Sequence, residues 1–208
     1  MTNVSSRSIS AQEQFWQGDF GDNYTERNII QPEARQGFFV RVLQKTFGIQ
    51  RICELGANRG HNLAAIRGLS TNYELTGVEL NPNAARILGQ QPGVHAIHSS
   101  ILDFTSDKPF DLVYACGVLI HLNPDDLPAV YHKMAMLSAR YILINEYFNP
   151  VPVGLDYRGH SERLFKRDFG TEFLNTAGSG VRVVDYGFLW QTAEPAWDNT
   201  TWWLFEKQ

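Results

Sequence analysis

Apolar residues at 38, 39, 42, 43 and 47 recur at the spacing of one helix face in PEARQGFFVRVLQKTFG, with Pro32 near its start and Gly48 at its end. This predicts a capped amphipathic helix over 32–48 that covers one face of a sheet. From Arg51 onward the pattern changes. Short apolar runs alternate with helical spacing: RICEL is followed by a glycine turn and HNLAAIRGL, YELTGVEL by NPNAARILGQ, HAIH by a loop, DLVYACG by NPDDLPAVYHKMAML, and YILINEY by a longer irregular stretch. Strands apolar on both faces and separated by helices predict a parallel sheet with right-handed crossovers, a doubly wound α/β domain. The tail departs from the alternation, because VRVVDYGFLW and TTWWLFEK are both strand-like and only a polar stretch around Pro195 and Asp198 divides them. Adjacent strands joined by a loop pair antiparallel.

Composition narrows the picture. A chain of 208 residues with a 43% hydrophobic share can bury one full core, so a single domain over 12–208 is expected. Residues 1–11 are rich in Ser and Asn and are expected to be disordered. The next stretch, EQFWQGDFGDNYTERN, reads either as a surface turn docking Phe15, Trp16 and Phe20 on the core or as a functional segment. The net charge is −4 and the basic residues are scattered, which argues against nucleic acid as a partner. Cys53 and Cys116 each lie in an apolar run without a CxxC neighbour, the setting of small core residues, and no metal site is expected. The N-terminus lacks an apolar signal region and no stretch reaches the ~20 apolar residues of a membrane span, so a cytoplasmic protein with no membrane partner is expected.

In an open α/β sheet, ligands lie beyond the carboxyl ends of the strands, so the residues there are the candidates for chemistry. After the first strand comes ELGANRG, in which Gly56 permits close backbone approach and Gly60 opens a helix whose free N–H groups favour a negative group. Asn58, between them, would crowd a pyrophosphate, so the loop suits a nucleoside with a carboxylate better than a dinucleotide. The second strand ends in GVELNPNA and places Glu79 about twenty residues beyond the glycine turn, where a carboxylate accepts from ribose hydroxyls. Ser100 and Ile101 follow the third strand, where an adenine ring is commonly held. Cys116 and Gly117, both small, end the fourth, and His121 follows on the next turn.

ELGANRG, GVELNP, SSILDF and DLVYACGVLIHLNPDDL together resemble the successive motifs of class I S-adenosylmethionine-dependent methyltransferases, and the C-terminal strand pair is similar to the seventh strand of that fold. More narrowly, EQFWQGDFGDNYTERN, LFKRDFG, VVDYGFLWQ and TTWWLFEK resemble the methylases that accompany pseudaminic-acid biosynthesis genes. The resemblance spans nearly the whole chain from about Gln12. It implies a seven-stranded Rossmann-like sheet, S-adenosylmethionine as cofactor, and cofactor contacts from Glu54, Gly56, Asn58, Glu79, Leu80, Ser100, Ile101, Cys116 and Gly117. It further implies an N-terminal lid over 12–48, with Trp16 and Tyr24 closing over the cofactor and Arg27 pairing with its carboxylate. Two positions depart from the common pattern: Asn58 replaces the middle glycine of the loop, and Ser100 stands where many members carry an acidic residue near the adenine.

Methyl transfer from a sulfonium depends mainly on holding an acceptor lone pair against the methyl carbon, which can recover roughly 7–11 kcal/mol of barrier. Where a proton must also leave, a base adds ~10²–10⁴-fold, and the candidates are His121, Glu146 and His160, with Tyr147 orienting the acceptor. The segment 147–170 is expected to cap the substrate. Its Arg158 and Lys166 suggest a small, polar, anionic metabolite methylated on oxygen or nitrogen. A nicotinamide-dependent oxidoreductase shares the glycine turn and the acidic residue and remains an alternative, as does a protein-directed methylase.

Overall fold

The structure is a computed structural model that describes residues 7–208. The disorder expected at the start of the chain falls on residues 1–6, outside the described part, and on residues that prove to be engaged. Ser10 caps helix α1 (Ala11–Gln17): its hydroxyl accepts from the Glu13 N–H, while the Glu13 carboxylate accepts from the Ser10 N–H. Two donors that a helix start leaves free are thereby satisfied. Gly18 alone separates α1 from α2 (Asp19–Arg27), so the aromatic stretch is a pair of short helices rather than a turn. Their approach requires Gly21, where a Cβ would stand 1.9 Å from the Trp16 carbonyl oxygen.

The helix expected over 32–48 is shorter. A 3-10 turn, Pro32–Arg35, leads into α3 (Gln36–Leu43), whose buried face is Phe38, Phe39 and Val42. Lys45 and Thr46 then donate to the Val42 and Leu43 carbonyls, a tightened last turn that ends the helix before Phe47.

Strands and helices alternate from there as the apolar pattern predicts: β1 (Arg51–Leu55), α4 (His61–Leu69), β2 (Glu74–Glu79), α5 (Pro82–Leu88), β3 (Val94–His98), β4 (Phe110–Cys116), α6 (Leu127–Leu137) and β5 (Ser138–Glu146). The segment after β5 is not irregular. It folds into an antiparallel hairpin of β6 (Val153–Tyr157) and β7 (His160–Lys166), and Asp168 then caps a further helix, α7 (Phe169–Ala177). The chain closes with β8 (Val181–Leu189) and β9 (Thr200–Lys207).

Seven strands form one sheet in the order β3-β2-β1-β4-β5-β9-β8, with β9 antiparallel to both its neighbours and the others of the main run parallel. The central strands are buried on both faces because their side chains alternate between two cores. Leu112, Tyr114, Tyr141, Leu143 and Leu204 face α3, α4 and α5, while Val113, Ala115, Ile142, Ile144 and Phe205 face α6 and α7. Each fully buried Leu, Ile or Phe contributes roughly 1.5–3 kcal/mol relative to exposure. No helix of the described residues is long and apolar enough to cross a membrane.

Candidate active site

A cavity of about 360 Å3 opens beyond the carboxyl ends of β1, β2, β4 and β5, bounded also by residues of the two N-terminal helices and of the β8–β9 loop. This is the position at which an open α/β sheet takes its ligands, and the volume lies in the range of about 300–1,000 Å3 for small-molecule sites.

The floor is the β1–α4 loop, in which Gly56, Asn58 and Gly60 all take positive φ, at 74°, 47° and 87°. Gly56 and Ala57 both donate to the Val78 carbonyl, which ties the loop to β2. Asn58 holds its left-handed conformation by a local bond, its Oδ1 accepting from the Arg59 N–H at 2.7 Å. The space beside Gly56 is taken by Val118, whose Cγ2 a Cβ would meet at 2.6 Å, so this glycine serves close packing of two loops as well as the turn. Glu79, at the end of β2, is fixed by the backbone: Oε2 accepts from the Asn58 N–H at 2.6 Å and Oε1 from the Asn81 N–H at 2.7 Å. Burial raises its pKa, and those N–H groups act against the rise.

Leu80, Ser100 and Ile101 line the same end, as expected. There the N-terminal helices are latched to the body. The Ser100 hydroxyl donates to Glu13 Oε1, and Arg7 donates to Glu13, to Ser100 at 3.1 Å and to Asp103. Burial alone would raise the pKa of Glu13, but hydrogen bonds from Arg7, Ser100 and the Ser10 backbone outweigh it and bring the value to about 2. On the other side of α1 and α2, Asn81 Nδ2 donates to the Trp16 carbonyl at 3.1 Å and to Asp22 at 3.0 Å.

Beneath the centre of the cavity, Asn62 Nδ2 donates to Glu54 Oε1 at 2.6 Å and Tyr114 donates to Oε2 at 3.1 Å. Burial pushes the Glu54 carboxyl up to about 8 despite these bonds. Arg35 reaches the cavity from the 3-10 turn before α3. Its Nη1 donates to Asn62 Oδ1 at 2.7 Å, its Nε donates to the Ala196 carbonyl, and its guanidinium lies 4.2 Å from the centre of the Trp197 ring. Arg35 is the cavity's cation at this end; Arg27 is exposed, over the Phe20 and Tyr24 rings, and does not line it.

At the end of β4 stand Cys116 and Gly117, and a Cβ on Gly117 would meet nothing within 4 Å. Of the residues assigned to catalysis from sequence, His121 and Tyr147 line the cavity and Glu146 and His160 do not. Glu146 is fully buried, and its Oε1 accepts from the Val118 and Leu119 N–H groups at 2.8 Å each, so it holds the loop that carries His121. Burial pushes its carboxyl up to about 7. His121 Nδ1–H donates to the Arg163 carbonyl at 2.7 Å, which leaves the lone pair on Nε2; burial lowers its pKa to about 4. His160 is exposed and packs on Phe15 and Phe20, joining the hairpin to α1 and α2. Arg158 occupies the exposed hairpin turn, and Lys166 lies 5.0 Å from the Tyr147 ring centre, neither of them lining the cavity. Tyr157 from the hairpin does line it, its ring 4.8 Å from that of His121.

Sequence reasoning missed Arg35, Asn62, Trp197 and Asp198. The last accepts a hydrogen bond from Tyr147 at 2.6 Å. Asp198 was visible only as a turn former, and nothing in the helical spacing around Arg35 sets it apart from a surface arginine.

Comparison with known proteins agrees with this architecture. A sequence family described as a methyltransferase domain matches residues 53–139. No curated protein matches the chain in sequence. Among solved structures, a Burkholderia thailandensis 1,6-didemethyltoxoflavin N1-methyltransferase with bound 1,6-didemethyltoxoflavin and S-adenosylhomocysteine is similar over 98% of this chain and 93% of its own, with TM-score 0.71 and 16% identity. The plantazolicin methyltransferase BpumL in complex with S-adenosylhomocysteine aligns over 95% and 94%, with TM-score 0.65 and 15% identity. The glycopeptide N-methyltransferase MtfA, also with S-adenosylhomocysteine, aligns over 86% and 90%, with TM-score 0.64 and 13% identity. The chain thus has the Rossmann-like methyltransferase fold along nearly its whole length, and residues 53–139 match a methyltransferase-domain family.

Proposed function

We propose that this protein is an S-adenosylmethionine-dependent methyltransferase acting on nitrogen or oxygen of a small polar molecule. The observation that carries the reading is Glu79, held by two backbone N–H groups at the rim of the cavity beside the left-handed loop 56–60. Its remaining lone pairs suit two neighbouring hydroxyls of a ribose. The residues fit the rest of such a cofactor. Ser100 and Ile101 stand where its base would lie, Arg35 offers a cation for its carboxylate, and Glu54 offers a carboxyl whose ionisation a nearby ammonium would favour. Trp16, which lines the cavity, has a buried Nε1 without a hydrogen-bond partner among the described residues.

Bound there, S-adenosylmethionine supplies an electrophilic methyl group on a positively charged sulfur. The chain's own contribution is orientation and exclusion of water. The aromatic roof of Trp16 and Tyr24 covers the cavity, the open face of Gly117 leaves room at the reacting end, and neutral His121 presents an unprotonated Nε2 to receive a proton. The polar side chains of Asn145, Tyr147 and Asp198 in the cavity lining support a small polar acceptor. The anionic character expected from Arg158 and Lys166 loses its support, because both lie outside the cavity lining.

S-adenosylmethionine and S-adenosylhomocysteine are expected to raise the melting temperature by mass action, and Glu79→Ala to abolish most of the shift. Mass spectrometry of a metabolite extract incubated with protein and S-adenosylmethionine should then show one compound heavier by a methylene. Stabilisation by NAD and by neither sulfur compound would replace this reading with an oxidoreductase.

A further inference from the structure

We infer that the acceptor is an amine, recognised as a cationic hydrogen-bond donor between the lid and the β8–β9 loop. This inference rests on the methyltransferase reading, and it comes from counting donors and acceptors in the part of the cavity formed by Asn145, Tyr147, His121, Tyr157 and Asp198.

Asn145 is 1% exposed, and its Oδ1 has no hydrogen-bond partner among the described residues. An acceptor left unpaired in this lining residue is costly, and a ligand N–H would satisfy it. Tyr147 spends its only O–H on Asp198 Oδ2, so toward a ligand the phenol oxygen can only accept. Among the described residues, Asp198 Oδ1 is met by Gln191 Nε2 alone, at 3.5 Å, the outer limit of a hydrogen bond. His121 spends its Nδ1–H on the Arg163 carbonyl and is left with an acceptor at Nε2. Four side chains therefore present acceptors, and one of them is a carboxylate. The donors beside them, the Asn145 amide nitrogen and the Tyr157 hydroxyl, are neutral, so a carboxylate or phosphate ligand would meet no cation there and would be repelled by Asp198.

The two cations nearby do not change the balance. Arg35 is committed to Asn62, Ala196 and the Trp197 face, on the side assigned to the cofactor carboxylate. Lys166 lies against the Tyr147 ring and does not line the cavity. The remaining lining at this end includes the rings of Trp16, Tyr24 and Tyr157, which attract a cation through their faces. Asp198 is also exposed at the rim, where a carboxylate steers a cation inward and offsets its repulsion from the cofactor's own positive charge.

In the reaction this recognition serves, the bound ammonium first gives one proton to His121 Nε2, and the free-base nitrogen then contributes its lone pair to a new C–N bond as the C–S bond breaks. The electrons of the broken bond stay on sulfur as a neutral thioether. His121 passes its proton to water at the rim, the product leaves as the methylated ammonium, and no oxidant or reductant is required.

The test uses the full chain and three probes of similar shape: phenethylamine, phenethyl alcohol and phenylacetate. Each is titrated into protein saturated with S-adenosylhomocysteine and into protein alone, with tryptophan fluorescence and calorimetry as readouts. The amine is expected to bind at least ~tenfold more tightly than the alcohol, with phenylacetate weakest, as the loss of one charge-assisted bond implies. Asp198→Asn should erase the preference for the amine over the alcohol while leaving the S-adenosylhomocysteine dissociation constant within about twofold. Arg158→Ala, on the hairpin turn, should leave the ranking as it is. Phenylacetate binding as tightly as phenethylamine, or Asp198→Asn preserving the original ranking, would overturn the inference. Failure of S-adenosylhomocysteine to bind would instead strike the methyltransferase reading, and the ranking on protein alone would still decide between amine and anion.

Discussion

Arg35 and Arg27 show what a single residue owes to position rather than type. Both are arginines near the start of the chain, and the sequence favoured Arg27 because it sits in the aromatic stretch expected to form a lid. In the fold Arg27 is exposed over Phe20 and Tyr24, whereas Arg35 is carried inward by a 3-10 turn and bonded to Asn62 beside Glu54. Arg35→Ala is expected to weaken S-adenosylhomocysteine binding about ten- to a hundredfold, the range of one lost bond to a charged group, and Arg27→Ala by less than twofold. Equal losses in a calorimetric titration of the two variants would contradict this assignment. Glu79, Gly56 and Asn58 were legible from sequence because each follows a strand at a set distance, and strand ends are where such a sheet exposes its backbone. Arg35, Asn62 and Asp198 were not, since the folding of separate segments brings them together and no local pattern records it. The place of Glu146 was not legible for a related reason: a carboxylate at a strand end can serve a ligand or its own loop, and here two backbone N–H groups claim one of its oxygens, away from the cavity lining.

At the scale of elements, the hairpin β6–β7 and the helix α7 were hidden within one apparently irregular stretch. The hairpin turn places Arg158 and Gly159 at φ 51° and 84°, positive values at both central positions. That geometry usually advertises itself as Asn-Gly or Asp-Gly, and an Arg-Gly pair does not. α7 was legible in principle, because Asp168 precedes Phe169, Phe173, Leu174 and Ala177 at helical spacing and its side chain accepts from the Thr171 N–H. The close pair α1–α2 depends on Gly21, and Gly21→Ala should push the two helices apart because the added carbon has the Trp16 carbonyl in its way. The expected result is weaker S-adenosylhomocysteine binding with a comparatively small change in the melting temperature of the unliganded protein, since the strands of the core begin only at Arg51. Unchanged binding in that variant would reduce the lid to surface packing.

The whole molecule was the most readable level. The alternation of apolar runs gave the parallel sheet because doubly buried strands and amphipathic helices carry different periods. The position of β9 between β5 and β8 was not readable, because a strand's own residues do not name its neighbours. The buried ionisable groups make stability depend on pH in a definite sense. Glu54 and Glu146 are raised from an ordinary 4.5 to about 8 and about 7, so the folded protein holds their protons more tightly than the unfolded chain. Their stabilising contribution is complete below pH 4.5 and is lost as pH rises through 7 and 8. His61 and His121 are lowered from 6.5 to about 4, and their contribution is complete above 6.5 and lost as pH falls through 4. Above pH 6.5 the two histidines have stopped changing while the two carboxyls still ionise, so scanning calorimetry of the unliganded protein should show the melting temperature falling from pH 6.5 to 8, and Glu54→Gln should flatten that slope. A rise over this interval would show that the buried carboxyls are not protonated as argued. The latch of Arg7 on Glu13, Ser100 and Asp103 spans the gap between α1 and the loop after β3, which gives it a kinetic meaning. Arg7 is exposed and its charges are within reach of dissolved ions, so salt should shorten the residence time of bound S-adenosylhomocysteine by loosening the exit, with stopped-flow dissociation rates rising between low and moderate ionic strength in the native protein and becoming nearly insensitive to salt in Arg7→Ala.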